Sequence, residues 1–389
     1  MSTTLAPDRE AATVVERAQV PESLPVAQRD GDGPAPLKVL CVSNMWPGEG
    51  DPDFGSFVRD MCDALEGEDC EVDTAVIDRR GGGALRSVRK YLRLLADAVL
   101  QARGADVIYA HYLFPTGAIA ALAGRLSGTP VVLTAHGQDV ANLRRRPLRT
   151  ASAPGVRRAA AVIAVSGYLA ERLRESGLRP ARLEVIDMGV DMAAFTPGDR
   201  AQARARLGIA GDGPLVLAVG GLTARKNPLT LLQAVARLRI GRPGARLALV
   251  GDGPLRDTVE AGVRHLLLED AVIRTGAIPH DQVADWVAAA DVLAMVSRVE
   301  PLGVAVLEAL AGGRPAVVTA VGGAREVLPA PGCGRVVEPG DPRAIADALD
   351  AVLAEPPDPG TCRAAAEPHA LSRQAGRVAA LLREAAARE

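Results

Sequence analysis

The feature that most constrains this chain is a rhythm that runs from residue 37 to its end. Short, almost wholly apolar runs alternate with amphipathic stretches. The first run is Leu37–Ser43, followed by Glu71–Ile77, Asp106–Ala110, Pro130–Ala135, Ala161–Val165 and Leu183–Ile186. Strands apolar on both faces must be covered on both faces, and helices between them imply a parallel sheet. Around 196–213 the rhythm breaks at Thr-Pro-Gly-Asp-Arg and a short charged helix. It then restarts with Leu215–Val219, Arg246–Val250, Ala271–Arg274, Asp291–Val296, Ala316–Thr319 and Gly334–Glu338. The expected architecture is therefore α/β, with two Rossmann-like, doubly wound parallel-sheet domains over 37–195 and 214–370. Residues 196–213 link them, and a last helix occupies 371–389. The polar, proline-rich residues 1–36 are expected to be a disordered leader. Ligands of such sheets bind beyond the carboxyl ends of the strands, so the site is expected in the cleft between the domains.

Composition narrows the function. The 45 Lys and Arg against 47 Asp and Glu leave a net charge of −2, which argues against nucleic acid as a partner. Five cysteines, an odd number without C-x-x-C spacing, exclude a zinc ribbon or a disulfide scaffold and fit a reducing cytoplasm. No run is long and apolar enough for a transmembrane helix, and Asp8, Arg9 and Glu10 argue against a signal peptide. A helix at about 84–103 aligns Leu85, Val88, Leu92, Leu95 and Val99, with Arg86, Arg89, Lys90 and Arg93 opposite. Such a helix can lie on anionic lipid; the expectation is an ordinary covering helix and no membrane association. Among the cations only Lys38, Lys90 and Lys226 are lysines.

Four segments carry candidate chemistry. After the first strand, Asn44 leads into a loop with Gly48, Gly50 and Gly55, of the kind that brings backbone N–H groups to a phosphate. After another strand comes Ala135-His136-Gly137-Gln138-Asp139, followed by Arg144, Arg145, Arg146 and Arg149 as a basic loop. His136 can exchange hydrogen bonds with a hydroxyl, and the arginines suit an anionic acceptor. Opening the second domain, Gly220-Gly221-Leu222-Thr223-Ala224-Arg225-Lys226 puts cations just before a helix, an arrangement that stabilises a phosphate leaving group. Last, Glu300 and Glu308 stand in E-x7-E spacing, with Leu302, Gly303 and Val304 opening a helix between them. Glu308 lies in apolar Val-Leu-Glu-Ala-Leu, where a buried carboxylate needs a hydrogen-bond partner. A dinucleotide fingerprint at Gly251-Asp252-Gly253 fails because Arg256 stands where the third glycine would be.

Together these segments resemble glycosyltransferase family 4, retaining enzymes of GT-B fold. The resemblance covers nearly all the chain from Leu37 onwards. Its most specific part runs from Ser297-Arg-Val-Glu-Pro-Leu-Gly303 through Glu308-Ala-Leu-Ala-Gly-Gly-Arg-Pro to Val321-Gly-Gly323. Ile163-Ala-Val-Ser166, Gly189-Val-Asp191, Val250-Gly-Asp-Gly-Pro254 and Gly340-Asp-Pro342 support it. The resemblance implies a nucleotide-sugar donor bound mainly by the second domain, and no metal or other cofactor; a UDP-sugar is expected over a GDP-sugar, although these residues do not specify the base. It implies that Lys226 holds the donor diphosphate, Glu300 the transferred sugar and Glu308 the ribose, with His136 beside the sugar. Gly55, Gly221, Arg225, Leu302, Gly303 and Val304 belong to the donor side, and Asn44, His136, Asp139 and Arg144 to the acceptor side. The last helix is expected to cross back to the first domain. Gly221 stands where the family has an arginine, so Arg225 is the cation expected to replace it. Proline and leucine, Pro301 and Leu302, replace the family's Gly-Phe. The arginine- and alanine-rich composition suits a GC-rich bacterium, where such enzymes glycosylate small polar acceptors, aminocyclitols and other secondary metabolites among them. The alternatives are a GT-B nucleotide-sugar 2-epimerase or a non-catalytic sugar-nucleotide-binding protein.

Overall fold

The first lobe is built on strands β1 Leu37–Ser43, β2 Cys70–Val76, β3 Val107–His111, β4 Val131–Ala135, β5 Ala161–Ala164 and β6 Leu183–Val185. They form one parallel sheet in the order β2-β1-β3-β4-β5-β6. The second lobe is built on β7 Leu215–Val219, β8 Arg246–Val250, β9 Val272–Gly276, β10 Val292–Met295, β11 Ala316–Thr319 and β12 Gly334–Val337. This sheet is also parallel, in the order β12-β11-β10-β7-β8-β9. The computed structural model describes residues 35–51, 54–79, 81, 83–328 and 331–387, and Pro36–Glu389 form one compact unit. The expected leader lies outside the described residues except for Ala35 and Pro36.

In each sheet the chain winds outwards in one direction, returns, and winds in the other. The turning points lie between β1 and β3 and between β7 and β10. Strands that part there leave a crevice at their carboxyl ends. This is why segments far apart in sequence meet: Lys226 follows β7, Glu300 follows β10, Asn44 follows β1, and His111 ends β3. The core carries few aromatics. Tyr109 is the largest fully buried side chain, packed among Leu, Val, Ile and Ala.

Two helices depart from simple covering roles. The helix Leu371–Ala386 lies against the first lobe, on β3, β4 and the helix after β1. It is introduced by backbone bonds from Val190 to His369 and from Leu371 to Val190. The stretch 196–213 contains the helix Arg200–Arg206, tied to the second lobe where Arg204 donates to Asp291 at 2.7 Å and to the Ala289 carbonyl at 3.0 Å.

We label three helices of the first lobe: α1 Ser56–Glu66, α2 Ala84–Gln101 and α3 Thr116–Ser127. The expectation that α2 covers the sheet with its Leu85–Val99 stripe is corrected. Leu85 is 85 % exposed, Val88 55 % and Leu92 61 %, whereas Leu94 and Ala98 face the core. The helix has a second apolar face, which with α3 walls an open groove lined by Tyr91, Leu95, Phe114 and Leu122. Half of the expected basic loop is helix: Arg146 and Arg149 belong to Arg146–Arg158, which starts directly after Arg145, and Pro147 sits in its first turn, where a missing N–H costs nothing.

Candidate active site

The second lobe supplies an ion pair at the β7/β10 crevice. Lys226 Nζ lies 2.7 Å from Glu300 Oε2, Ser297 Oγ donates to the same oxygen at 3.1 Å, and Arg225 approaches the other at 3.8 Å. Glu300 is buried, which alone would raise its pKa. Lys226, Arg225 and the Ser297 hydroxyl outweigh burial and hold the carboxyl below its ordinary value. Arg225 remains half exposed, its carbonyl accepting from Arg298 N at 2.7 Å. Asn227, in left-handed geometry, ends the loop before the helix Pro228–Gly241.

Glycines set the walls. Gly221 and its neighbour Gly220 stack on the β8 turn, where Gly220 N donates to Val250 O and Leu222 N to Asp252 O. A side chain on Gly251 would overlap the Gly220 carbonyl, so Val250-Gly-Asp-Gly-Pro254 serves close backbone packing. A pocket of about 300 Å³ lies between Gly220, Gly221, Gly251, Gly253 and His280 of this lobe and Ser56 of the first. Gly303, at φ 105°, begins the helix Val304–Ala311, with Leu302 buried and Val304 half-buried at its start. Gly323 N donates to the Glu300 carbonyl at 2.9 Å, so the Val321-Gly-Gly323 turn braces the Glu300 loop.

Glu308 is buried as expected, and its partner is a residue sequence reasoning missed. His280 Nε2 lies 2.8 Å from Glu308 Oε1, and its Nδ1 lies 3.5 Å from Asp60 Oδ2 on α1. The ring thus bridges carboxylates of both lobes. Hydrogen bonds to Asp60 and Glu308 raise its pKa to about 10 against the opposing effect of burial. The only signal was a histidine in the turn just past β9.

The first lobe supplies a second histidine site. His136 stacks on Tyr112 with centroids 5.6 Å apart and meets Phe57 of α1 at 5.2 Å. His136 Nε2 lies 3.0 Å from Nδ1 of His111, which is fully buried at the end of β3. Burial lowers His136 to about 3 and, with His136 alongside, His111 well below its ordinary value, so both rings are neutral. His111 carried the same signal as His136, a polar residue closing an apolar strand.

Of the residues expected on the acceptor side, Asn44 is half-buried and donates to Tyr91 Oη at 3.4 Å. Asp139 is turned inwards. It is 3 % exposed, with Oδ1 accepting from the backbone of His136, Gly137 and Val140 and Oδ2 from Leu113. Its carboxylate fixes the His136 loop. Arg144 is exposed in the turn before the helix Arg146–Arg158. Gly55, at φ 76°, caps α1 and backs onto Met45 so closely that no side chain fits.

The lobes also touch directly. Ser166 Oγ donates to the Pro301 carbonyl at 2.6 Å, and Glu326 accepts from Gly167 N and Tyr168 N at 2.7 and 2.6 Å. A side chain on Gly137 would overlap Pro301. Among the described residues, no group of three His, Cys, Asp or Glu side chains is arranged to hold a metal ion.

Two lobes, each a six-stranded parallel sheet covered by helices, with a cleft at the strand ends, have the GT-B architecture. Comparison with known proteins agrees. Glycosyl transferases group 1 matches residues 199–369, and Glycosyltransferase Family 4 matches 55–194. D-inositol 3-phosphate glycosyltransferase 1 of Catenulispora acidiphila is 31% identical over 289 residues, 68% of either chain. The GDP-mannose-dependent alpha-(1-6)-phosphatidylinositol monomannoside mannosyltransferase of Mycolicibacterium smegmatis is 34% identical over 62% of this chain and 65% of its own. The chain spans about two thirds of the length of these relatives. The structure of Anabaena HepE in complex with UDP and glucose shares the fold, with TM-score 0.71 and 22% identity over 88% of this chain and 98% of that one. The chain belongs to the family 4 glycosyltransferases of GT-B fold and is an enzyme of that class.

Proposed function

We propose that this enzyme transfers a hexose, with retention, from a nucleoside diphosphate sugar to a hydroxyl of a polar, phosphate-bearing cyclitol. The observation that carries the reading is the Lys226–Glu300 pair beside the pocket. A buried carboxylate held ionised next to a compact ammonium gives one group for sugar hydroxyls and one for a departing diphosphate. On donor binding, Lys226 and the half-exposed Arg225 turn to the diphosphate, with the backbone at Leu302, Gly303 and Val304 opening a helix towards it. Glu300 then takes the sugar and Glu308 the ribose. The proposed step uses no protein nucleophile: the acceptor hydroxyl attacks the sugar C1 from the leaving-group side, the C1–O bond to the diphosphate breaks, and the hydroxyl proton passes to the departing phosphate.

The acceptor class rests on the relatives, whose named acceptors are inositol 3-phosphate and phosphatidylinositol monomannoside. The exposed arginines around Arg144 suit such an anion. A membrane-borne form of the same headgroup has its own support, the exposed apolar face of α2 beside Tyr91, whose hydroxyl meets Asn44. For the donor base we propose uracil.

One experiment addresses all three. Donor binding to UDP-, GDP- and free nucleotide panels is read by thermal shift, since a ligand of the native state raises its Tm. Transfer is then assayed to free inositol phosphate and to phosphatidylinositol in vesicles. Lys226→Ala lowers turnover by about 10²–10³-fold. Turnover near wild-type in that variant sinks the site assignment, and conversion of the donor sugar without acceptor would instead mark an epimerase.

A further inference from the structure

The His111–His136 contact carries an inference about proton placement. Both rings are neutral, so each has one N–H, and the 3.0 Å contact between His111 Nδ1 and His136 Nε2 needs one of them to donate. The other nitrogen of His111, Nε2, is buried and has no hydrogen-bond partner. Two assignments satisfy the contact. If His136 donates, His111 must carry its proton on Nε2, leaving an N–H buried without an acceptor. If His111 donates from Nδ1, the orphan is a bare lone pair. Among backbone groups, buried N–H donors are left unpaired less often than acceptors, and by the same desolvation argument the second assignment is favoured for the ring. The second assignment forces the proton of His136 onto Nδ1, a nitrogen that bonds to no described residue and, unlike His111 Nε2, is not sealed from solvent.

We infer that His111 is a positioning residue: it donates Nδ1–H to His136 Nε2 and so locks His136 as a hydrogen-bond donor through Nδ1–H towards the ligand. The surroundings hold the ring pair rigid. Tyr109 meets His111 edge-on at 4.4 Å and bonds Thr134 Oγ1 through its hydroxyl, while Tyr112 and Phe57 flank His136. Asp139 pins the backbone at His136 and Gly137. A ring that cannot flip and cannot ionise near neutral pH presents one fixed donor, suited to a sugar or acceptor hydroxyl oxygen. The role in turnover rests on the glycosyltransferase reading; the proton assignment does not.

The test uses the full chain labelled with ¹⁵N-histidine, with ring nitrogens assigned by long-range ¹H–¹⁵N correlation at neutral pH. The expected result is a protonated Nδ1 and a bare Nε2 on His136, and the reverse arrangement overturns the inference. Two variants supply the functional readout. His111→Asn places an amide N–H where ring Nδ1 stood, and His111→Leu removes it. His111→Leu lowers kcat about 10–100-fold with little change in donor KM, as losses of orienting partners do, and His111→Asn restores most of the rate. Asparagine no better than leucine overturns the role, even if both fold. Should no donor be turned over at all, the glycosyltransferase reading fails while the nitrogen spectrum still decides the tautomer.

Discussion

Two histidine sites meet helix α1, one at Phe57 and one at Asp60, and the same side chain does opposite things in them. His111 and His136 sit among Phe57, Tyr109 and Tyr112, their rings bonded among the described residues only to each other, and burial keeps them uncharged. His280 sits between Asp60 and Glu308, carboxylates of different lobes, and is held charged. The difference shows what each wall contributes. The first-lobe pair is a rigid polar fixture within one lobe, insensitive to charge arriving nearby. The His280 bridge joins the lobes through charge, and it occupies Glu308, the carboxylate we assign to the donor ribose. A donor that takes Glu308 must therefore share it with His280, so donor binding and lobe contact draw on the same group.

The largest effect comes from undermining the neutral site. Asp139 accepts from four backbone N–H groups, and Asp139→Ala leaves them buried without partners. Each buried N–H left without a partner costs about 1–3 kcal/mol, so the four together should cost more than about 3 kcal/mol. Urea unfolding should show that loss; a cost under about 1 kcal/mol would mean the His136 loop holds itself.

Next in size is the pH dependence, where the two sites predict opposite limbs. For His280 the folded pKa is about 10 and the unfolded value about 6.5, so its contribution is full below pH 6.5 and fades as pH rises towards 10. For His136 the folded value is about 3, so its contribution is present above pH 6.5 and fades as pH falls towards 3. Each limb amounts to on the order of 2 kcal/mol once the partial exposure of both rings is discounted. His280→Gln should flatten the alkaline limb, and His136→Phe should reduce the acid one while leaving the part that buried His111 supplies, measured as Tm against pH. If His280→Gln flattens the acid limb instead, the assignment of charge to the two sites is reversed.

How far the sequence announced these sites follows from what each depends on. Lys226 and Glu308 were legible because local composition singled them out: a lysine in an arginine-rich chain, and a carboxylate in an apolar helix. Glycines at 251, 253, 322 and 323 were legible as motif members, although their use in backbone packing needed the structure. Asp139 was legible as polar and site-adjacent, but its inward turn depends on where the Leu113 N–H lies, on a different strand end. His280 and His111 were missed because their meaning lies in partners 28 and 25 residues away across the fold. The apolar stripe of α2 was legible, yet which face meets the sheet was not, because the helix carries two.

The smallest effect is a control that the comparison requires. His265 ends the helix Arg256–His265 in an exposed position. If environment rather than residue type makes the two sites different, His265→Gln should change stability by less than about 0.5 kcal/mol, as surface substitutions do, and leave both pH limbs in place. The variant removes one imidazole without touching either wall of the cleft. A shifted limb would therefore mean that the slopes report the chain's overall charge and not local pairing. In that case the contrast between a neutral pair and a charged bridge would have to be re-established site by site, from ring nitrogen spectra rather than from unfolding.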